Sequence, residues 1–292
     1  MTRRIDIRPS YESARRATEI MANAQPQPSK ASRLIRHVLL WSLVSAARLS
    51  VAGPANADWE RHERRGQIEV FSEFGIDVDF VLTELQSVAD EIRQKLELPP
   101  PARPIQIILF SSARGYRTHL ANSIPESARR RAIFYRNGDV FQIYAYRSQA
   151  LITDLRHEFT HALLHQALPY VPLWMDEGLA EYFEEAPDAR AASQRLAGTK
   201  WKSRMGWTPG LKRLEQIPSA DQMDADDYRD SWAWITYLMN GSPASRELLK
   251  TYLLAVSAGE APGSFNEWAI TRQPLVIKGV GSYFRRFQIS LR

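Results

Sequence analysis

Apolar and polar positions change rhythm along this chain, and each change marks an element. From Ile68 to Phe74 they alternate, as in a strand with one buried face. From Val78 to Leu96 they recur at helical spacing, with Val81, Leu85, Val88, Ala89 and Ile92 on one side. Pro99, Pro100, Pro101 and Pro104 make a rigid connection to Ile105–Phe110, a short apolar run suited to a buried strand. Ser111 or Ser112 can cap a helix through His119. Ala132 to Arg136 and Asp139 to Tyr146 flank Asn137-Gly138, the dipeptide of a type I′ hairpin turn. The second strand leads into a helix starting near Ser148. Pro169 and Pro172 end that helix, and another begins near Trp174.

A polar segment then runs to about Lys202, and Trp207, Pro209 and Gly210 read as a loop, as do the arginines at 129–131. Tyr228 to Leu238 reads as a helix capped by preceding acidic residues, with Trp232 and Trp234 in the core. Ser245 to Ala258 repeats Leu248, Leu249, Tyr252 and Leu253 on one side, and a short helix and an apolar-basic end follow Phe265. The charged stretch 58–66 predicts a loose start. Together these elements predict an α+β fold, in which an N-terminal mixed sheet part (58–147) packs on a helical part (148–292).

Residues 1–57 follow another pattern. The first 29 are rich in Arg, Ser, Pro and Gln without a sustained apolar face, which predicts disorder, and Met21 offers a second start. Lys30, Arg33 and Arg36 precede an apolar run from Val38 to Ala47, and Ala55-Asn56-Ala57 has the small residues of a cleavage site. This is a secretory signal, cut before Asp58. Arg48 keeps the apolar run below the ~20 residues of a spanning helix, so export is expected over a retained membrane anchor. The leader holds nine Lys/Arg against three Asp/Glu, so the formal net charge of +5 becomes −1 for residues 58–292. The basic balance therefore belongs to the leader, and no nucleic-acid partner is expected. The chain has no cysteine, so any metal must be held by His, Asp and Glu.

The chemistry concentrates in His157-Glu158-Phe159-Thr160-His161. Four residues apart on a helix, the two imidazoles converge on one ion, and Glu158 sits one position round the turn as the acceptor of a proton from bound water. A catalytic zinc site needs a third protein ligand. His165 shares the helical face but lies eight residues from His157, roughly 12 Å along the axis, so it reads as a packing histidine. Glu177 is better placed, because the prolines let the chain reverse and present it to the histidines. Glu181, one turn later, can accept a hydrogen bond from a ligating histidine; the plainer reading makes Glu181, Glu184 and Glu185 a solvated helix end.

Residues 157–185 resemble the gluzincin metallopeptidases, in particular the small bacterial peptidase MA-like group, with its HExxH helix followed by W-x-x-E-G-x-A-E-Y-F. Fifteen residues separate His161 from Glu177, a little fewer than in the large zinc aminopeptidases. The resemblance implies one Zn²⁺ per chain on His157, His161 and Glu177, with Glu158 as general base and Glu181 as an outer carboxylate. It also implies that a tyrosine opening a later helix, here Tyr228, stabilises the oxyanion. A peptide or protein substrate would lie along Val140 to Tyr146 as an added strand. The aminopeptidase segment G-x-M-E-N is absent, which leaves endopeptidase action as the default. The rival expectations are a catalytically silent binding or envelope-assembly module and a zinc hydrolase of a cell-wall amide.

Overall fold

Five strands form one mixed sheet in the order β1-β2-β3-β5-β4 in the computed structural model, which describes residues 59–121, 124, 130–190 and 192–286. Helices cover the sheet and continue beyond it, giving an α+β fold. The expected leader, its expected cleavage point and Arg129 lie outside the described residues.

The segment expected to be a loose start is instead strand β1 (Arg61–Arg65), antiparallel to β2 (Ile68–Ser72) through a turn at Gly66, φ 59°. All five of its residues are exposed. An edge strand needs backbone pairing on one side only, and its charges discourage pairing with another chain. β2, β3 (Ile105–Phe110) and β5 (Val140–Tyr146) run parallel, and β4 (Ala132–Asn137) returns antiparallel to β5. Asn137 pairs with Val140, so the turn is Gly138-Asp139, one residue later than expected. Of these two only Gly138 has a positive φ (57°), the sign pattern of a type II′ turn.

The expectation that Val140 to Tyr146 offers a free edge is overturned. β5 is paired on both sides, and β4 is the edge. Antiparallel alternation puts the Arg131 carbonyl on Tyr146 N and turns the backbone groups of Ala132, Phe134 and Arg136 away from β5.

One sheet face packs Val70, Ile107 and Ile143 against α1 (Val78–Leu96) and α3 (Leu151–Ala167), in the main core. The other packs Ile108, Phe110 and Tyr144 against α2 (Ala113–Leu120), whose cap is Ser112. The helix after the sheet starts three residues later than expected. α4 (Leu173–Phe183) follows the proline reversal.

The expected polar segment contains two helices, α5 (Pro187–Arg190) and α6 (Gln194–Arg204); residues 207–210 form the expected loop, and α7 (Leu211–Leu214) follows it. Leu196, Thr199 and Ser203 bury one face of α6, a spacing that its many polar residues conceal. α8 (Ala225–Asn240) opens with a capping box between Asp224 and Asp227, and it buries Trp232 and Trp234 as expected. α9 (Pro243–Ser257), α10 (Phe265–Arg272) and α11 (Pro274–Arg286) complete the described chain.

A buried ion pair ties the helices round the site. Glu91 of α1 meets Arg190 of α5, with Oε2 to Nη2 at 2.8 Å, and Arg190 Nε donates to Tyr182 O of α4. Burial, the largest influence, opposes ionisation of Glu91, but Arg190 and Lys95 outweigh it and lower the pKa. A carboxylate whose pKa is lower in the folded state stabilises the fold above its unfolded pKa of about 4.3, and loses that contribution as pH falls. Denaturant midpoints should therefore fall more steeply below pH ~4.5 in wild type than in Glu91→Gln. Parallel pH profiles would remove Glu91 from acid sensitivity.

Candidate metal centre

α3 is buried almost all round, because it lies against β4, β5, α1 and α4. Its polar side chains therefore need partners. Glu158 and His161 are buried, and His157 is nearly so. α4 runs back alongside and brings Glu177, 4% exposed, to the histidines. The three facing atoms are His157 Nε2, His161 Nε2 and Glu177 Oε2, separated by 3.3, 3.6 and 3.7 Å. A point equidistant from them lies about 2.0 Å from each, a metal–ligand bond length. Glu177 Oε2 is buried and accepts no hydrogen bond, as suits an oxygen shaped to meet a cation. His157, His161 and Glu177 are thus close enough to hold one metal ion.

The far nitrogens have carboxylate partners. Glu184 Oε2 is 3.0 Å from His157 Nδ1, and Asp176 Oδ1 is 2.9 Å from His161 Nδ1. A carboxylate accepts only, so each Nδ1 carries the proton and each Nε2 presents its lone pair to the shared point. Asp176 Oδ2 also meets His165 Nε2 at 2.9 Å, which gives that ring a partner of its own.

Electrostatics favour positive charge at this point. Burial opposes protonation of His157 and His161, but surrounding carboxylates raise both pKa values, that of His157 well above the ordinary range. Burial likewise opposes ionisation of Asp176 and Glu177, and the histidines overcome it and lower both.

Glu181 does not take its expected place. It forms an ion pair with Arg195 of α6 and no hydrogen bond to a histidine; Asp176 and Glu184 fill that role. Burial, then the Glu184 charge, pushes Glu181 up to about 7. Glu184 was legible in one respect: Glu177, Glu181 and Glu184 follow the i, i+4, i+7 rhythm of one helical face. Asp176 carried no such signal. Tyr228 is half-buried in the first turns of α8, where burial, then the Glu177 charge, raises its pKa to about 12. Its phenol therefore keeps its proton as a donor near neutral pH.

No protein-family model and no curated protein matches the chain.

Three further residues assemble the centre. Glu158 Oε2 accepts from Phe134 N of the edge strand at 2.7 Å, which orients the carboxylate. Arg195 Nη2 donates to Glu184 Oε1 at 2.9 Å, steadying the group that holds His157. Gly178, next to Glu177, lets α8 approach closely. A Cβ there would meet Ser231 O and Ile235 Cγ1 at 2.7 Å. Backbone cannot yield as a flexible side chain does, so Gly178→Ala should cost about 1–3 kcal/mol by overpacking. Thermal unfolding of the two proteins tests this, and an unchanged midpoint would refute the close-approach account.

Proposed function

We propose that this chain is an exported zinc metallopeptidase of the gluzincin type, acting as an endopeptidase on peptide or protein substrates. The observation that carries the reading is the triangle of two imidazole nitrogens and a buried, otherwise unbonded carboxylate oxygen, all one bond length from a common point. Two histidines and one carboxylate are a catalytic zinc donor set, whereas Ca²⁺ and Mg²⁺ prefer six or more oxygens, several of them from water. His157, His161 and Glu177 would hold the ion. When bound, zinc brings the pKa of a water towards neutrality and polarises the scissile carbonyl.

Glu158 takes the water's proton on its carboxylate and delivers it to the leaving amine. The Phe134 amide keeps that carboxylate turned between strand and site. Tyr228, protonated and close to the Glu177 charge, donates its hydroxyl to the oxyanion. An extended peptide adds to β4 through the outward groups of Ala132 and Arg136 and the Phe134 carbonyl, while the Phe134 amide stays on Glu158. The absence of G-x-M-E-N supports endopeptidase over aminopeptidase action. Export rests on the signal pattern before Asp58; no helix among the described residues is long and apolar enough to cross a membrane.

The deciding experiment is zinc per chain by elemental analysis, in wild type and Glu177→Ala, followed by a peptide-library assay. Wild type should hold about one zinc. Loss of a direct ligand should weaken binding by more than the 10–100-fold typical of an outer partner. Wild type without zinc after preparation in its presence would overturn the proposal.

A further inference from the structure

β4 is tied to α3 at three points that stand in order along the strand. Just before its first residue, Arg131 spends its guanidinium on Asp154, with Nε to Oδ2 and Nη2 to Oδ1 both at 2.8 Å. In the middle, the Phe134 amide meets Glu158. Near the end, Arg136 Nη1 donates to His165 O at 3.3 Å, while Arg136 Nε donates to Gly138 O at 3.2 Å. Arg131 is neutralised by its partner, and Arg136 is not. Carbonyls carry no compensating charge, and the carboxylate of the adjoining turn, Asp139, is paired with Arg103. Among the described residues no carboxylate forms an ion pair with Arg136.

Register places this cation on the side of the sheet that carries the metal centre. Phe134 lies opposite Ile143 and Arg136 opposite Phe141, and residues opposite one another share a face. Ile143 and Phe141 belong to the main core, on the side of α3. The Arg136 guanidinium lies over the Phe141 ring, 5.2 Å from its centroid, and the Phe134 and His165 rings are 5.6 Å apart. Arg136 is nonetheless exposed. Two residues of strand put it roughly 7 Å beyond Phe134, where the base is held. One ring and two carbonyls fix the side chain before anything binds, so little rotamer freedom is left to lose. Two of its five N–H donors are taken, and three remain to meet a carboxylate.

We infer that Arg136 selects substrates with an acidic side chain, Asp or Glu, at the residue that pairs opposite it when an extended peptide adds to β4. The inference rests on the peptidase reading and names the substrate class of the same site. A strand added to the edge continues the pleat, so its residue opposite Arg136 points to the same face, with Cβ atoms about 4.5–5.5 Å apart. That residue is two positions from the one opposite Phe134, and so on one side of the bond presented to Glu158. Opposite charges in such a pair attract and like charges repel. Arg136 is a specificity residue and takes no part in bond cleavage.

The test is a peptide library varied one position at a time, acetylated and amidated so that only side chains supply charge. Full-length wild type, Arg136→Gln and Arg136→Glu, each loaded with zinc, digest it, and mass spectrometry reads the cleavage positions. Wild type should favour Glu over Gln by about two- to fivefold at a single position close to the cleaved bond, less so in about 1 M salt. Arg136→Gln should remove the preference, and Arg136→Glu should replace it with one for Lys at the same position. A fastening role alone would slow all substrates together and leave the ratio unchanged. Binding of the Glu and Gln peptides to Glu158→Gln, read by fluorescence anisotropy, should show the same order without turnover. Cleavage with no acidic preference, a preference that survives Arg136→Gln, or equal binding of the two peptides overturns the inference and leaves the peptidase reading standing. Zinc-loaded wild type that cleaves no peptide overturns both.

Discussion

Glu158→Gln is expected to keep its zinc and lose peptidase activity. The substitution preserves shape, and the amide oxygen can still accept from Phe134 N, so the local geometry should persist. The amide cannot take a proton from water near neutral pH. General-base catalysis contributes about 10²–10⁴-fold, and kcat should fall by that factor. Measuring kcat and zinc content on the same preparation separates the outcomes. Activity within about tenfold of wild type would remove Glu158 as the base. Wild type with bound zinc but no cleavage of any library peptide would instead favour the binding module or the cell-wall amidase. In the binding-module case a cellular phenotype would survive Glu158→Gln.

Arg156→Met should produce the largest loss of stability. Arg156 precedes His157 and is 2% exposed. Its guanidinium donates to the carbonyls of Phe183, Glu184 and Glu185 at 3.1, 3.2 and 3.4 Å, and to Glu84 Oε2 at 2.9 Å. The first three are at the end of α4, where the helix has carbonyls without partners and a partial negative charge. One side chain therefore fastens the helix of His157 to the helix of Glu177 and to α1. Removing one partner from a buried ion pair typically costs about 3–5 kcal/mol, because the remaining groups stay desolvated and unmatched. For a protein of this size that corresponds to a fall of roughly 10 °C in the unfolding midpoint. Zinc affinity should fall as α4 loosens, and Arg156→Lys should recover only part of both losses, since an ammonium cannot span the same four acceptors. A midpoint within about 2 °C of wild type would refute the fastening role.

Arg156 also shows where reading by position stops. Its neighbours His157 and His161 are legible because their relationship is local: four residues on a helix fix two imidazoles on one face. The helix of Val78 to Leu96 and the strand of Ile105 to Phe110 are legible for the same reason, since apolar period reports the buried side of an element. β1 was missed because an edge strand can be held by backbone pairing and need bury none of its side chains. α6 was missed because its buried face is made by Leu196, Thr199 and Ser203, only one of them strongly apolar.

By itself the sequence determined the α+β class, the main helices, and the meeting of His157 and His161 beside Glu158. It also marked Glu177 as the residue for the returning chain to deliver. Only the tertiary structure decided the rest: Asp176 and Glu184, not Glu181, meet the histidines, and β4, not β5, is the open edge beside Glu158. The reason is one of distance. Spacing along a helix fixes which side chains share a face, but which atom of a second helix reaches a given nitrogen depends on how closely the two axes approach. That approach is set by Arg156 of α3 at the end of α4, and Gly178 against Ser231 seats α4 on α8, contacts whose partners are far apart in the chain.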